Sequence, residues 1–597
     1  MVKIVTVLSA TTVLFAAEPV HVWEKREAAF IAAGSYENPY AQVEVWIDLK
    51  GPGFAKRVYG FWDGGRTFRV RFLATAPGEW SWTSGSEPPD SGLAGKSGAF
   101  TAIPWTEAEL EQNPTRRGVI RPTPNGHAFE YADGTPVLYL ADTWWAAPTF
   151  RYKWHDDDKV RPAGPEMGFK DMVRVRRRQG FNGVAMLAAL PNWASDGRPA
   201  TIRLADAQKT TVRNAWAIPD ADTAKDMHNE GGRPFHFPGR VPGYEDVFPD
   251  VHRINPTYFQ HMDKKVDYLN REGFIPFIEV SRRDSGQAWK KFYDWPVSYS
   301  RYVQYVFARY QANNCLFSPI HYDWSGYTIS GREYNEAANL VIDRWGRPPF
   351  GTLLSANSNP STLVNFGGPD EARWITFHQA GNRREHEFYW HLTEAFYAKP
   401  ARPALHGEPY YSGLVLGKQT GAEGGTELDS LYSRSGLYGS FLSGGLGGYI
   451  YGAQGMWGAD IHPKAVHRMW EVLEWPSAQQ VQHLRTFAFS EGRRFQDLEP
   501  KADLVLPHQA GPLHGYTGWA YCGRTRQQDF FLIYFEKDAP QAQLRGARPD
   551  AAYEARWFDP RNGRWEKPFE LRSDGTGYIS LPAQPTGEDW GLKLIVR

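Results

Sequence analysis

The chain has 597 residues, more than a single hydrophobic core usually holds, so the length predicts two or more domains. Lysine plus arginine and aspartate plus glutamate both total 67, and this zero net charge argues against a nucleic-acid partner. Aromatic residues make up 15% of the chain, with 24 tryptophans and 30 tyrosines, which is typical of β-rich cores and of surfaces that bind sugar rings.

The first 17 residues predict a secretory signal peptide. Lys3 precedes an apolar run from Ile4 to Phe15, and Ala16 and Ala17 follow it. No later apolar run has the length of a membrane span. The mature protein is therefore expected to be secreted or periplasmic, with no membrane contact.

Residues 18–110 predict an N-terminal antiparallel β-sandwich. The segments VEVWIDL, TFRVRFLAT and GEWSWTS alternate apolar and polar residues, and GPG and DGG turn signals lie near them. Alternation with a period of two places one face of each strand in a core.

Residues 120–482 change to short apolar runs that alternate with helical patterns, including Phe169–Arg178, Pro256–Arg271, Pro296–Asn313 and Arg383–Ala398. Eight such strands predict a central (β/α)₈ TIM barrel in an α/β fold. A long insertion at 191–252 follows the second strand, on the face where such barrels build their sites. The predicted strands are Val137–Ala141, Gly183–Leu187, Ile275–Glu279, Cys315–Ile320, Gly351–Ala356, Trp374–Phe377, Pro403–Gly407 and Gly447–Tyr451.

Residues 485–597 return to strand character in GWAYC, FFLIYF and WGLKLIVR. They predict a C-terminal antiparallel β-sandwich, so that two sandwiches flank the barrel. Cys315 and Cys522, the two cysteines of the chain, could pair across these domains, but buried free thiols are the expected state.

Side chains at the C-terminal ends of barrel strands share one cup. Carboxylates and aromatic rings dominate the residues that the predicted strands place there, and a bound sugar suits both types. The candidate substrate-binding residues are Asp142, Trp144, Trp145, Asn192, Trp193, Glu279, Trp324, His378, Tyr410, Tyr451 and Trp457, with Tyr411 beside them.

Glu408 and Asp323 form the candidate catalytic pair. Glycosidic cleavage needs two carboxyl groups, one to protonate the leaving oxygen and one to attack or to activate water. Glu279 is an alternative acid, or a partner of Arg282 or Arg283. Each carboxylate could instead have a structural role. Glu408 could cap a helix or pair with an arginine, and Asp323 could form an Asx turn. The pair alone leaves retention and inversion open: carboxyl carbons about 5 to 5.5 Å apart would indicate retention, and a separation nearer about 8 Å would indicate inversion.

Four other chemistries find no matching motif in the sequence. GLAGKS at 92–97 has Asp90 where a phosphate loop needs its first glycine, and HEFYWH at 386–391 has Trp390 where a zinc-protease helix needs its second histidine. No G-x-S-x-G elbow occurs. The triplet Asp156 to Asp158 lacks the spacing of calcium ligands. No cofactor and no metal are predicted.

Four motifs resemble the apiosidase-like glycoside hydrolases, the group around glycoside hydrolase family 140: ADTWW at 141–145, GFNGVAML at 180–187, HGEPYY at 406–411 and YGAQGMW at 451–457. The flanking sandwiches resemble the domains that often accompany that barrel, the second carrying a collagen-binding label. The resemblance implies a retaining mechanism with Glu408 as nucleophile and Asp323 as acid/base.

The chain also departs from that pattern. His321 and Tyr322 stand where the family usually shows Gly-Gly, Ala141 replaces a glycine, and Ala453 and Gln454 replace histidine and asparagine. These positions are expected to contact the hydroxyl groups of the substrate. The resemblance therefore does not imply that apiose is the substrate.

The sequence therefore predicts a secreted retaining glycoside hydrolase that acts on a complex plant or algal polysaccharide. The alternative is a non-catalytic carbohydrate-binding or matrix-adhesion protein on the same scaffold. The sugar, the linkage, exo or endo action and the oligomeric state stay open.

Overall fold

The computed structural model describes residues 20–189, 201–203, 209–211, 228–243, 245, 248–283, 286–323, 329–415 and 419–597. The predicted signal peptide and most of the predicted insertion at 191–252 lie outside these ranges. Within them, no helix is both long enough and apolar enough to cross a membrane.

Residues 20–103 form two β-sheets around a common apolar core. In the strand Glu44–Gly51, buried Val45, Ile47 and Leu49 alternate with more exposed residues, because successive side chains of a strand point to opposite faces. The first sheet has the order Val20–His21, Ser97–Ile103, Gly78–Glu87, Glu44–Gly51 and Phe54–Tyr59, and the second has Arg26–Ile31, Thr67–Phe72 and Phe61–Trp62.

A short connection leads from these sheets to the centre of the molecule. Thr106 and Glu109 form a capping box at the start of its helix, which satisfies backbone N–H groups at the helix N-terminus. Its elements are the helix Glu107–Gln112, the 3₁₀ turn Pro114–Arg117 and a small sheet of Ile120–Pro122, Phe129–Tyr131 and Pro136–Val137.

Seven parallel strands form the central sheet of the described chain. Their side chains are almost all buried, as expected where both faces of a parallel sheet are covered. In sheet order they are Leu316–Ser318, Ile275–Glu279, Gly183–Leu187, Tyr139–Thr143, Gly448–Tyr451, Ala404–Glu408 and His378–Gly381.

The two edges of this sheet approach each other through Leu354. Phe317 forms a parallel bridge with Leu354, and the amide of Thr376 donates to the Leu354 carbonyl at 2.8 Å. The predicted strand Gly351–Ala356 is present only as this bridge. The prediction for Trp374–Phe377 is wrong by four residues, since the strand is His378–Gly381. Trp374 is buried and donates to Asn335 of a helix, whereas Phe377 packs against Phe129 and Phe277.

Helices follow most of the central strands. Two helices have the predicted bounds, and Val297–Tyr310 and Phe388–Tyr397 are shorter than predicted. The helices are Phe169–Arg178, Pro256–Arg271, Gly286–Phe292, Val297–Tyr310, Gly331–Trp345, Thr362–Phe366, Phe388–Tyr397, Glu427–Leu442 and Pro476–Ala488. Smaller elements are the helix Pro39–Gln42, the 3₁₀ turns Glu385–Glu387, Phe489–Asp497 and Ala502–Leu504, and the paired strands Thr201–Arg203 with Lys209–Thr211 and Phe235–His236 with Asp250–Ile254.

The C-terminal residues form two antiparallel sheets around their own apolar core. Cys522 lies in this core, and both it and Cys315 are buried free thiols. The larger sheet contains Leu498–Pro500, Ala520–Thr525, Phe530–Phe535, Trp590–Val596, Ala552–Asp559, Arg564–Trp565 and Phe569–Arg572, and the smaller contains Val505–Leu506, Gln543–Leu544 and Ile579–Ser580.

Buried ion pairs join both terminal regions to the centre. On the N-terminal side, Asp263 accepts from Arg71 and from Arg309, with Arg309 Nη2 lying 2.8 Å from Asp263 Oδ2 and 2.9 Å from Asp63 Oδ1. On the C-terminal side, Arg434 Nε donates to Asp589 Oδ2 at 2.9 Å. The regions are therefore docked through specific charged contacts as well as apolar surface.

Candidate active site

A pocket of about 270 Å³ opens at the C-terminal ends of the central strands. Glu408 is the last residue of its strand, Asn382 follows the strand His378–Gly381 directly, and Trp145 follows Thr143 by two residues. Parallel strands end at one edge of their sheet, which is why residues far apart in sequence meet here. The lining residues are Trp145, Arg282, Arg283, Asp323, Asn382, Arg384, Glu408, Tyr411, Leu414 and Trp457.

Glu408 is only 4% exposed, and two side chains hold its carboxylate. Asn357 Nδ2 donates to Oε2 at 3.0 Å, and Arg384 Nη2 lies 3.9 Å from Oε1. Burial raises the pKa of Glu408, and Arg384 and Asn357 oppose that rise. Burial outweighs these two partners, so the carboxyl group of Glu408 holds its proton more strongly than an exposed glutamate does.

Gly407, directly before Glu408, stands where a side chain would clash with a neighbour. The strand is irregular here, since Gly381 pairs with Glu408 while Ala380 pairs with His406. A Cβ atom built on Gly407 would lie 2.1 Å from Gln379 Oε1, and Gln379 is fully buried. The glycine thus leaves room for a neighbouring side chain of the sheet.

Replacing Gly407 by alanine should destabilise the protein by about 1 to 3 kcal/mol, the usual cost of overpacking a buried site. We also expect lower activity, because any shift of this backbone moves Glu408. Chemical denaturation of Gly407→Ala and of Gly407→Ala combined with Gln379→Ala tests the cause. The second substitution should recover much of the loss, and no recovery would place the clash elsewhere.

Asp323 is 5% exposed and faces two guanidinium groups. Arg282 Nη2 lies 3.3 Å from Oδ2, and Arg283 forms a close ion pair with Oδ1. Asn382 Nδ2 donates to the carbonyl oxygen of Asp323 at 3.1 Å, which fixes the backbone. These contacts favour the ionised form of Asp323.

Asp323 and Glu408 approach each other closely. A carboxylate oxygen of each, together with one ring nitrogen of His321, all lie within 4.8 Å of one another. Asp323 and Glu408 are 85 positions apart in sequence, so only the parallel arrangement of their strands brings them together. The site therefore holds two carboxyl groups that can act on one bound molecule.

Glu279 lies behind this pair rather than on the pocket wall. Its Oε2 is 2.7 Å from His321 Nδ1, and the other ring nitrogen of His321, Nε2, is 3.5 Å from Asp323 Oδ1. Glu279 and His321 are both almost fully buried. Burial raises the pKa of Glu279 well above its usual range, with the Asn357 backbone and Arg282 opposing.

Three aromatic rings form one wall of the pocket. Trp145 meets Trp457 edge to face with ring centres 5.6 Å apart, and its ring also lies 6.3 Å from that of Tyr411. Tyr411 shares a hydrogen bond of 3.1 Å with Thr143 Oγ1. A Cβ on Gly452 would lie 2.4 Å from the Tyr411 ring, so this glycine admits the ring. Such faces are suited to the apolar side of a sugar.

Five other candidate residues are buried away from the pocket lining. Asp142 accepts from Arg176 Nε and Trp144 Nε1, both at 2.7 Å, so Asp142 and Trp144 belong to the packing between sheet and helix. Tyr410 donates to Asp429 at 2.8 Å, and Tyr451 bonds to Ser477 at 3.0 Å. His378 begins its strand instead of following it, bonds to Thr362, and has its pKa lowered by burial to about 4.

Asn192, Trp193 and Trp324 lie outside the described residues. The polar lining residues Asn382 and Arg384 were missed because the strand before them was predicted four residues early. Arg282 and Arg283 lie three and four residues after the end of the strand Ile275–Glu279, and Asn357 lies three residues after the Leu354 bridge. A search for polar residues just after each strand would have found all five.

Residues 123–493 match the family described as "Apiosidase-like, catalytic domain". The chain belongs to the apiosidase-like family. Two further domain families match on either side of the apiosidase-like domain: a domain of unknown function, DUF5060, at residues 19–87 and the "Putative collagen-binding domain of a collagenase" at residues 514–595. No curated protein matches this sequence.

Solved structures of glycoside hydrolases share the fold of this apiosidase-like protein. A "putative glycoside hydrolase" from Bacteroides vulgatus ATCC 8482 aligns with a TM-score of 0.64 and 17% identity, over 97% of this chain and 100% of that one. A glycoside hydrolase family 5 structure from the same organism aligns with a TM-score of 0.55 and 15% identity, over 81% of this chain and 94% of that one. Family and fold together mark a glycoside-hydrolase-like protein.

Proposed function

We propose that this chain is a secreted retaining glycoside hydrolase in which Glu408 is the nucleophile and Asp323 the general acid and base. The observation that carries the proposal is the close approach of the two carboxyl groups, whose oxygens come within 4.8 Å in a buried pocket. Retention requires carboxyl groups about 5 to 5.5 Å apart, whereas inversion needs room for a water molecule between them.

The chemistry then runs in two steps. Asp323 protonates the glycosidic oxygen while a Glu408 oxygen attacks the anomeric carbon, which gives a glycosyl ester and releases the leaving group. Asp323 next removes a proton from water, whose oxygen displaces Glu408 from the same carbon. Asn357 and Arg384 support the carboxylate of Glu408 when it leaves.

The ion pairs of Asp323 bear on these roles. Arg282 and Arg283 stabilise the Asp323 carboxylate, so Asp323 must gain a proton before it can act as an acid.

Trapping with a 2-fluoro glycoside, followed by peptide mass analysis, identifies the nucleophile. A label on Glu408 supports the assignment, and a label on Asp323 reverses the two roles.

We further propose that the seven parallel strands close into an eight-stranded barrel, with the residues around Leu354 as the eighth member. Its hydrogen bonds to both edges of the sheet support this closure. The residues before and after the barrel, about 18–110 and 485–597, are proposed as separate β-sandwich domains. The two flanking family matches support this division.

The substrate class that we propose is a complex plant or algal polysaccharide, attacked at an end or a side chain. The described part of the pocket measures about 270 Å³, below the range of about 300 to 1,000 Å³ typical of drug-sized ligands. This size suits a single sugar ring better than a long segment of chain. The wall of Trp145, Tyr411 and Trp457 is suited to stack on such a ring.

A panel of plant and algal polysaccharides, with product analysis, tests the function. We expect release of a defined sugar, and proton NMR of the first product should show the anomeric configuration of the substrate. A first product with inverted anomeric configuration would contradict the role of Glu408 as nucleophile. A folded protein that binds a polysaccharide but releases nothing across the panel would favour the non-catalytic alternative.

Replacing Asp323 by asparagine should lower the rate on the natural substrate by about 10² to 10⁴, the usual contribution of general acid catalysis. The loss should be much smaller on aryl glycosides whose leaving groups need no proton. Added azide should accelerate this variant on such glycosides and give a glycosyl azide with retained configuration. Equal losses on both substrates, without azide rescue, would contradict the acid/base role.

A further inference from the structure

A buried chain of three side chains runs from the core to the pocket. Glu279 Oε2 lies 2.7 Å from His321 Nδ1, and His321 Nε2 lies 3.5 Å from Asp323 Oδ1. Of the three, only Asp323 lines the pocket. At 3.5 Å this contact does not have the geometry of a hydrogen bond, and His321 Nε2 has no hydrogen-bond partner among the described residues. Contacts between catalytic groups are often long or poorly aligned before substrate binds.

His321 is held as a neutral imidazole. It is fully buried, and the charged groups that face it include both guanidiniums of Arg282 and Arg283. Burial and these two cations lower the pKa of His321 well below its usual range. The carboxyl groups around it are those of Glu279, Asp323 and Glu408. Trp145 packs against the ring edge to face at 4.7 Å.

A neutral imidazole carries one N–H, and its neighbours decide which nitrogen holds it. The two arginine partners of Asp323 favour its carboxylate form, and a bare Nε2 lone pair facing that carboxylate would be repelled. An N–H on Nε2 removes that repulsion and leaves Nδ1 as an acceptor. The group at 2.7 Å from Nδ1 must then donate, which requires the protonated form of Glu279. Its burial favours that neutral form.

We propose that Glu279 stores the proton that Asp323 needs as a general acid, and that His321 passes it between them. The proposal rests on the glycosidase function proposed above. As the substrate enters, the Glu279 proton moves to Nδ1 while the Nε2 proton moves to Asp323 Oδ1. The imidazole stays neutral, the negative charge moves from Asp323 to Glu279, and no proton is gained or lost.

The cycle closes in the second step. Asp323 gives its proton to the leaving oxygen, later takes one from the attacking water, and returns a proton through His321 to Glu279. Neither Glu279 nor His321 lines the pocket, so both act through Asp323 as positioning residues. This arrangement reconciles the arginine contacts of Asp323 with an acid role, because the required proton is held one residue away.

Nitrogen-15 NMR of histidine-labelled protein tests the proton positions without any substrate. The His321 signals are those that disappear in His321→Gln. We expect the hydrogen on Nε2 and a bare Nδ1 between about pH 6 and 8, and the same tautomer in Glu279→Gln, whose amide can still donate. A hydrogen on Nδ1, or a doubly protonated ring, would overturn the proposal.

Kinetics of Glu279→Gln tests the transfer, because glutamine keeps the donor but cannot release a proton. The probes are phenyl and 2,4-dinitrophenyl glycosides of the sugar that the polysaccharide panel releases. We expect kcat/KM on the phenyl glycoside to fall by about 10² to 10⁴, and on the dinitrophenyl glycoside by less than about tenfold. Equal losses would mean that Glu279 only supports the fold.

Glu536→Gln is the matched control. Glu536 is a fully buried glutamate paired with a histidine, His386, at 2.9 Å, and neither lines the pocket. This variant should leave the ratio of the two rates unchanged. The two proposals can fail separately. Absence of turnover on every glycoside would count against the proposed glycosidase function. The position of the hydrogen on the His321 ring tests the proposal that Glu279 stores the proton.

Discussion

Replacing Glu408 by glutamine should abolish turnover while the protein stays folded. Glutamine keeps the size of the side chain and can still accept from Asn357 Nδ2, which lies 3.0 Å from Oε2 in the native site. It cannot form the glycosyl ester on which retention depends. The rate should fall by about 10⁴ or more, the scale on which loss of a nucleophile acts in serine proteases.

The same substitution should have a small and pH-dependent effect on stability. Since burial raises the pKa of Glu408, the native state holds this proton to a higher pH than the unfolded chain does. The wild-type protein therefore loses stability as the pH rises above the unfolded pKa of about 4.3. Glu408→Gln lacks this loss, so its Tm relative to wild type should be higher at pH 7 than at pH 4.

Glu130→Gln provides the control for Glu408→Gln. Glu130 is a buried glutamate that accepts from Arg121 Nε at 3.1 Å, away from the pocket. Its replacement should leave turnover close to wild type. If Glu408→Gln unfolds the protein, or turns over substrate at nearly the native rate, Glu408 is a structural residue and the proposed mechanism is wrong.

The sequence was most informative where parallel strands bring distant residues together. Asp323 and Glu408 carry no signal of proximity in the chain, but each follows or ends a short apolar run, and the common edge of a parallel sheet implies that they meet. The helices Phe169–Arg178 and Pro256–Arg271 were equally clear, because their apolar residues recur at helical spacing.

Side-chain direction was not predictable in this way. Asp142 and Trp145 come from one strand end, yet Asp142 meets Arg176 of a surrounding helix while Trp145 reaches the pocket. A shift of one residue reverses the face of a strand, and the pattern of a fully buried strand does not reveal which face is which. The position of one strand was also predicted incorrectly, since Trp374 of the apolar run at 374–377 packs on a helix and the less apolar HQAG at 378–381 is the strand.

Gly407 illustrates a further limit. A glycine just before the last residue of a strand could mark a close approach of the backbone to a ligand, but the nearest obstacle to a side chain here is Gln379. A glycine in the sequence can indicate a crowded position, but it does not identify the neighbouring group that fills the space. The charged surroundings of Asp323 also depend on arginines from a different strand end, so its ionisation could not be inferred from local sequence.

The largest loss of stability should come from Asp263→Asn. Asp263 lies on the helix Pro256–Arg271 and neutralises two buried arginines, Arg71 from the N-terminal sheets and Arg309 from the helix Val297–Tyr310. Asparagine leaves both cations in a buried site without their shared anion, and removing one partner of a buried ion pair costs about 3 to 5 kcal/mol. Chemical denaturation should show this loss directly.

The pH dependence gives a second test. Burial opposes the charge of Asp263, but Arg309 and Arg71 outweigh it and hold the pKa well below its usual range. The native carboxylate then contributes its full stability well above the unfolded pKa of about 3.9, and this contribution begins to decline below about pH 5 and is lost progressively as the pH falls toward the much lower native pKa. Asp263→Asn should therefore approach the stability of wild type in acid and fall furthest behind it near neutrality.

Asp343→Asn is the matched control for Asp263→Asn, because Asp343 pairs with Arg373 at 2.7 Å but both side chains are about half exposed. Water solvates a charge left alone there, so the loss should stay within about 1 kcal/mol. Similar small losses for the two variants would mean that the other anions, Asp63 beside Arg309 and Glu27 beside Arg71, compensate the buried cations. A large loss only for Asp263→Asn, greatest at neutral pH, would show that this carboxylate fastens the N-terminal sheets to the helix that leads into the strand Ile275–Glu279.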